Sequence, residues 1–255
     1  MDRTWKAWPN RDWLMNLGKT WLWRYETLVG RYSLVGNRPF FEAEQFPWVA
    51  EFERHWQIIR QELDRLLEYG DRLPNFQDIS PDQVAITNDN RWKTYFLYAY
   101  GVKVPENCQR CPETTRLLAL IPGMKTAMFS ILSGGKHIPE HRGPYKGVLR
   151  YHLALKVPGP AGACRIRVRD EIRPWQEGKS LIFDDSYVHE AWNDSDETRV
   201  VLFVDVVRPL AWPWSWLNQG LIFAISRSPF IQDAIANNRR WQQTFTASAG
   251  PGAQS

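Results

Sequence analysis

No run of the sequence approaches the ~18 consecutive apolar residues that a membrane span requires, so no segment is expected to cross a bilayer. Cysteine is scarce. Cys108, Cys111 and Cys164 cannot build a disulfide framework in a chain of 255 residues, and the opening residues show no charged-then-apolar leader with a small-residue cleavage site. A reducing, cytoplasmic compartment is the expectation. One-signed charge is also lacking: a net +4 without a basic stripe gives no reason to expect a nucleic-acid partner. Glycines at the spacing of a P-loop or a dinucleotide fingerprint are absent, as are internal repeats. A single domain with one sizeable core is the default at this length and at 44% apolar content.

What is abundant is tryptophan, with 14 residues crowded toward the two ends: Trp5, Trp8, Trp13, Trp21 and Trp23 on one side, Trp212, Trp214, Trp216 and Trp241 on the other. Residues 1–38 interleave these rings with seven Lys/Arg against three Asp/Glu. Tryptophan joins an apolar body to a polar N–H and favours boundaries. The segment reads either as a helical arm docked on its own domain or as peripheral contact with a membrane surface. The apolar stretch 211–245, broken by Pro213, Asn218, Gln219 and Gly220, admits the same two readings, and 246–255 reads as a disordered tail.

Between the ends, residues 39–210 read as the folded body. Val49, Phe52, Trp56, Ile59, Leu63 and Leu66 recur at helical spacing, predicting one packing helix from Trp48 to Tyr69 with Gly70 at its C-terminal cap. Beyond Ile121-Pro122-Gly123 the pattern changes to short apolar and alternating runs: Thr126 to Ser133, Val148 to Val157, Arg165 to Arg169, Lys179 to Phe183 and Arg199 to Val207. Gly134-Gly135, Pro158 to Gly162, Glu177-Gly178 and Asn193 to Asp196 supply turn chemistry between them. The fold expected is mainly β, a sandwich or barrel with flanking helices.

Four of the five histidines, His137, His141, His152 and His189, fall in or beside this strand-rich half. Two imidazoles on different strands of a small barrel can converge on its interior, and neutral imidazole suits iron, zinc or copper. His137 follows a glycine loop that leaves it exposed, and His55 is an ordinary helix-face residue. Cys108-Gln109-Arg110-Cys111 is one CxxC, two ligands short of a zinc site, and reads as a loop feature.

The run His141-Arg142-Gly143-Pro144, then Leu149-Arg150-Tyr151-His152-Leu153, Trp175-Gln176-Glu177-Gly178, Phe183-Asp184-Asp185-Ser186-Tyr187-Val188-His189-Glu190, and finally Arg199 and Asp205, resembles the catalytic domain of the aspartyl/asparaginyl β-hydroxylase family. The resemblance implies a double-stranded β-helix, a jelly-roll or cupin-like core, that uses Fe(II), O2 and 2-oxoglutarate. It places His141 and His189 on the metal, Arg199 on the distal carboxylate of 2-oxoglutarate, and Ser130, Arg150, His152 and Trp92 on its other contacts. Asp185, with Asp184, is expected either to hold a metal-bound water or His189, or to form the turn. Gly143 stands where most iron oxygenases carry the third, carboxylate ligand; the family commonly has glycine there. The implied reaction is hydroxylation of an unactivated C–H, with an aspartyl/asparaginyl-type side chain of a protein, peptide or amino acid as acceptor. The alternatives are a lipid acyl chain, as in lipid A hydroxylase-type members, and a non-catalytic jelly-roll binding module.

Overall fold

The computed structural model describes residues 24–248. The first five tryptophans, Trp5 to Trp23, and residues 249–255 lie outside the described residues.

Eleven strands build two antiparallel sheets: β1 (Phe40–Phe41), β2 (Trp92–Ala99), β3 (Val102–Lys103), β4 (Met124–Leu132), β5 (Lys136–His141), β6 (Val148–Lys156), β7 (Cys164–Val168), β8 (Glu171–Pro174), β9 (Ser180–Phe183), β10 (His189–Asn193) and β11 (Arg199–Val207). The major sheet has the order β1-β9-β6-β11-β4-β2-β3 and the minor sheet β5-β10-β7-β8. All five runs read as strands from the sequence are strands. Faced together, the two sheets form the double-stranded β-helix. The other six strands were not among those runs; of these, β2 is buried along most of its length and shows no alternation, and β5 starts inside the glycine loop.

Alternation along the central strands sorts the chain into two cores. On β6 and β11, Tyr151, Leu153, Leu155, Val200, Leu202, Val204 and Val206 point outward under the helices, where they meet Phe52, Ile59, Leu63 and Leu66. Each such fully buried side chain contributes roughly 1.5–3 kcal/mol. The opposite face of the same strands, with Ala154, Val201 and Phe203, joins Ile166, Val168 and Ala191 of the minor sheet in an inner core. Arg150 and His152 alternate with Tyr151 and Leu153, so both belong to the inner face, as do Arg199 and Ser130 by their registers with Leu132 and Val201.

The predicted helix is two helices, Val49–Arg54 and Trp56–Leu67, parted at His55. The Glu51 carbonyl accepts both the His55 backbone N–H at 3.1 Å and the His55 Nδ1–H at 2.8 Å, and the helix ends because His55 itself leaves the helical conformation, at φ −107 and ψ 13. Gly70 takes the left-handed conformation expected of a cap, at φ 52. Buried Glu62 accepts from the backbone N–H of Glu113 and Thr114, both at 2.9 Å, and so caps the helix Pro112–Leu118. Cys108 and Cys111 are buried free thiols at the junction preceding that helix, and burial raises the pKa of both, in keeping with a loop feature.

The C-terminal stretch forms the helices Trp214–Ser226 and Pro229–Ser248, the latter running into the segment read as tail. Among the described residues no helix is long and apolar enough to cross a membrane.

Candidate active site

His141 ends β5 and His189 begins β10, and the two are direct partners in the antiparallel register. Their ring centroids lie 4.1 Å apart. The Nδ1–H of His141 donates to the Pro139 carbonyl at 2.8 Å, and that of His189 to the Tyr187 carbonyl at 2.9 Å. A carbonyl only accepts, so both rings carry their proton on Nδ1 and keep the Nε2 lone pair for a ligand. Burial depresses the basicity of both imidazoles; the neighbouring His141 ring and the Arg150 charge add to it at His189, whose pKa falls to about 3. Two neutral, tautomer-locked imidazoles side by side on facing strands form a metal-ready pair. Among the described residues, no three His, Cys, Asp or Glu converge as a fuller metal cage.

Gly143 follows His141 by two residues, and a Cβ built on it would overlap the Asp185 carboxylate. Its N–H donates to the Asp185 carbonyl at 2.7 Å. Asp185 therefore brings a carboxylate from the β9–β10 loop into the space that a third ligand on the β5 side would use. It is almost wholly buried, with Oδ2 2.8 Å from the Arg150 guanidinium. Burial lifts its pKa to about 6 against the pull of Arg150, and the charges of Asp205 and Asp184 push it the same way.

Asp184 has a different task. It is fully buried and ion-paired with Lys146, at 2.6 Å, and with Arg208, while its other oxygen accepts from the Ser186 N–H at 3.1 Å. These contacts saturate it, so Asp184 pins the loop ahead of His189, and of the two acids it is Asp185 whose carboxylate lies against Gly143, two residues from His141.

Deeper between the sheets lies a group of polar atoms with no internal partner. Arg199 is 2% exposed, yet among the described residues its Nε and Nη1 have no hydrogen-bond partner and no acid pairs with it. Its guanidinium carbon sits 4.3 Å from the centre of the Trp175 ring. Burial alone drags its pKa down to about 10, with only a small opposing contribution from Cys164. His152 is buried with both ring nitrogens unpartnered, boxed by Trp175, Phe183 and Phe203, and burial with the Arg199 and Arg150 charges holds it neutral. The Trp175 indole N–H is likewise unpartnered. Ser130 accepts from the Trp92 indole N–H at 3.0 Å, which orients its hydroxyl. Each of these groups would carry a penalty of about 1–3 kcal/mol if left permanently unpaired. Such a concentration of donors around a lone buried cation fits a dicarboxylate.

Every site residue read from the sequence thus lies on or between the inner faces. Trp175 and Asp205 carry the resemblance in sequence but receive no role from it. Trp175 stacks on Arg199, and Asp205 stands opposite Arg150 in the β6–β11 register and pairs with it at 3.0 Å. Asp205 and Asp185 together raise the pKa of Arg150 despite the opposing effect of burial. His137 lies on β5 rather than in a loop, but its ring does face solvent, with Glu190 at 2.9 Å.

Comparison with known proteins gives the same frame. The chain is 49% identical to the ornithine lipid ester-linked acyl 2-hydroxylase of Rhizobium tropici over 88% of its length and 80% of that protein. It is 33% identical to the human aspartyl/asparaginyl beta-hydroxylase over 71% of its length, which is 25% of that protein. Human aspartate beta-hydroxylase domain-containing protein 2 is 35% identical over 67% of this chain and 47% of its own. Among solved structures, the cupin domain of Schizosaccharomyces pombe Cnp3 overlaps at TM-score 0.33 and 10% identity, covering 49% of this chain and 71% of that one. That overlap is too slight to bear on the site. Residues 53–209 match the aspartyl/asparaginyl beta-hydroxylase family as a whole and span both metal-ready histidines and the lone arginine; the chain belongs to the aspartyl/asparaginyl β-hydroxylase family.

Proposed function

We propose that the protein is an Fe(II)- and 2-oxoglutarate-dependent dioxygenase that hydroxylates an unactivated C–H bond. The observation that carries this reading is Arg199: a buried, unpaired guanidinium beside unpartnered His152 and Trp175 nitrogens, on the same inner faces as His141 and His189. A buried cation without an anion is expensive unless a ligand supplies one. 2-Oxoglutarate has a carboxylate for Arg199 and a 2-oxo acid end for a metal held by the two Nε2 atoms. The bound iron would supply O2 activation coupled to oxidative decarboxylation of 2-oxoglutarate to succinate and CO2, with the second oxygen atom entering the acceptor.

The chain's own groups then divide the labour. His141 and His189 hold the metal. Arg199 fixes the far carboxylate, with Ser130, oriented by Trp92, beside it. Arg150 and His152 would present further donors to the cosubstrate, and Asp185, beside Gly143, would offer a carboxylate to the same space. The aromatic walls Trp175, Phe183 and Phe203 keep bulk water out, which strengthens each of these interactions.

The relatives offer two acceptor classes. An aspartyl/asparaginyl-type side chain of a protein, peptide or amino acid is the acceptor that the human relative's name implies. A lipid acyl chain is the one named for the Rhizobium tropici relative, which matches more of the chain at higher identity. The acyl reading also draws support from the apolar helix beside the site described below. Incubation with Fe(II), ascorbate and 2-oxoglutarate, with either an aspartate- and asparagine-containing peptide or a bacterial lipid extract, tests both. Mass spectrometry should find one added oxygen atom in one acceptor, with succinate formed in step. Neither acceptor oxidised and no succinate would contradict the proposal.

A further inference from the structure

The helix Trp214–Ser226 is anchored to the rim of the site. Its buried Asn218 donates to the Gly147 carbonyl at 2.9 Å and accepts from the Tyr145 hydroxyl. Gly147 is obligatory for this approach, because a Cβ there would overlap both Asn218 and the Tyr145 ring. The loop that carries Gly143, Tyr145 and Gly147 runs directly on from His141. The helix at 24–31 closes the same layer, since Tyr32 stacks on Trp214 with centroids 4.9 Å apart and Glu26 pairs with Arg142 at 3.1 Å. Residues 32–34 are laced to 209–211 by Leu34 N–H to the Pro209 carbonyl and Ala211 N–H to the Tyr32 carbonyl.

The face that this layer turns to solvent is apolar. Trp212 is 84% exposed, Trp216 73% and Phe223 59%, and Leu34 and Leu217 are exposed beside them. Positions 216, 220, 223 and 227 share one face of the helix and its C-terminal cap by spacing, and Trp212 stands two residues before the helix begins. The charge on the layer is of one sign. From Asp205 to Asp233 no acidic residue intervenes, and from Arg24 to Arg38 the only acid is Glu26, which is buried against Arg142. The exposed charged side chains of these two segments are Arg24, Arg31, Arg38 and Arg227.

We infer that this face docks on an anionic lipid bilayer, with Trp212, Trp216 and Phe223 in the headgroup region and Arg24, Arg31, Arg38 and Arg227 toward lipid phosphates. Monomeric soluble proteins seldom expose a contiguous aromatic face, and tryptophan flanked by arginine is the pairing that the membrane interface favours. A protein partner would supply acids to specific sites; four exposed arginines spread over two segments that carry no exposed acid ask only for a diffuse negative surface. The short connection from His141 through Gly147 to the helix sets the metal-ready pair next to the docked face. The inference does not depend on which acceptor is hydroxylated, because its test reads binding and not turnover.

The test is co-sedimentation of the full-length chain with vesicles of phosphatidylcholine alone and of phosphatidylcholine with phosphatidylglycerol, at low and high salt. The intact chain should pellet with the anionic vesicles and be released by salt. The triple variant Trp212→Ser, Trp216→Ser, Phe223→Ser should lose at least tenfold in partition coefficient while its thermal melt is unchanged, because all three side chains are exposed. Should that melt fall, Trp216→Ser alone should still lose a few-fold. An intact chain that stays in the supernatant with anionic vesicles, as when residues 1–23 or a second copy cover the face, overturns the inference. So does a variant that pellets as well as the parent.

Discussion

The Asp185 carboxylate fills the space that a side chain at Gly143 would occupy. A histidine-x-glycine sequence and a buried aspartate four residues before the second histidine are thus one feature seen from two loops. Gly143→Ala should lower stability by about 1–3 kcal/mol through overpacking. Adding Asp185→Ala should recover part of that loss, because the clash and its partner are removed together. Urea unfolding of the two single variants and the double variant measures the coupling. Strictly additive effects would separate the two residues.

Arg199→Met gives opposite signs for stability and binding. It deletes a buried cation with no internal acid, so the protein free of 2-oxoglutarate should melt at the same temperature or higher. Affinity for 2-oxoglutarate should fall by at least tenfold, on the order of 1.4 kcal/mol or more. Calorimetric titration with a parallel melt checks both. A destabilised variant with unchanged affinity would make Arg199 a purely structural residue.

Arg150 is different, since Asp185 and Asp205 both neutralise it. Asp205→Ala leaves a buried guanidinium with one acid fewer and should cost about 3 kcal/mol, while Asp205→Asn, which keeps an acceptor oxygen, should cost less. Equal, negligible losses in denaturant titrations would mean that Asp205 does not support Arg150.

Stability without metal should fall in mild acid. His141, His152 and His189 bind protons more weakly folded than unfolded; for His189 the folded value is about 3 against an ordinary 6.5. Below 6.5 the unfolded chain therefore holds more protons, and stability present above that pH is lost as pH falls. Asp185 works the other way: its folded value of about 6, above the ordinary 3.8, adds stability as pH drops through 6. Three imidazoles outweigh one carboxyl, so with a chelator present the melting temperature should be several degrees lower at pH 5 than at pH 7.5. His152→Leu should flatten that slope. A melt independent of pH would contradict the burial of neutral imidazoles.

The sequence made the local features legible and hid those that depend on register. Val148 to Val157 and Arg199 to Val207 announce themselves by composition, and the residues around His141 and His189 by their order. That Arg150 faces Asp205 is set by strand pairing 55 residues apart, which no local pattern encodes. Trp175 is given no role by the sequence alone, because that role comes from stacking on an arginine of another strand. β2 was missed because burial on both faces erases the alternation that marks a half-exposed strand. The break at His55 is a change of backbone conformation at a single residue, which hydrophobic spacing does not register. Asp184 and Asp185 are adjacent and chemically alike; only the positions of Lys146, Arg208 and Gly143 assign one to the scaffold and the other to the site.

The central claim is that His141 and His189 hold iron while Arg199 holds 2-oxoglutarate beside it. Anaerobic titration of the protein with Fe(II) and then 2-oxoglutarate, followed by visible absorption, tests it without any acceptor. A charge-transfer band of the iron chelate should grow to one equivalent, disappear in His141→Ala and His189→Ala, and need at least tenfold more 2-oxoglutarate in Arg199→Met. No band in the intact protein, or a band that survives the loss of either histidine, would contradict the account.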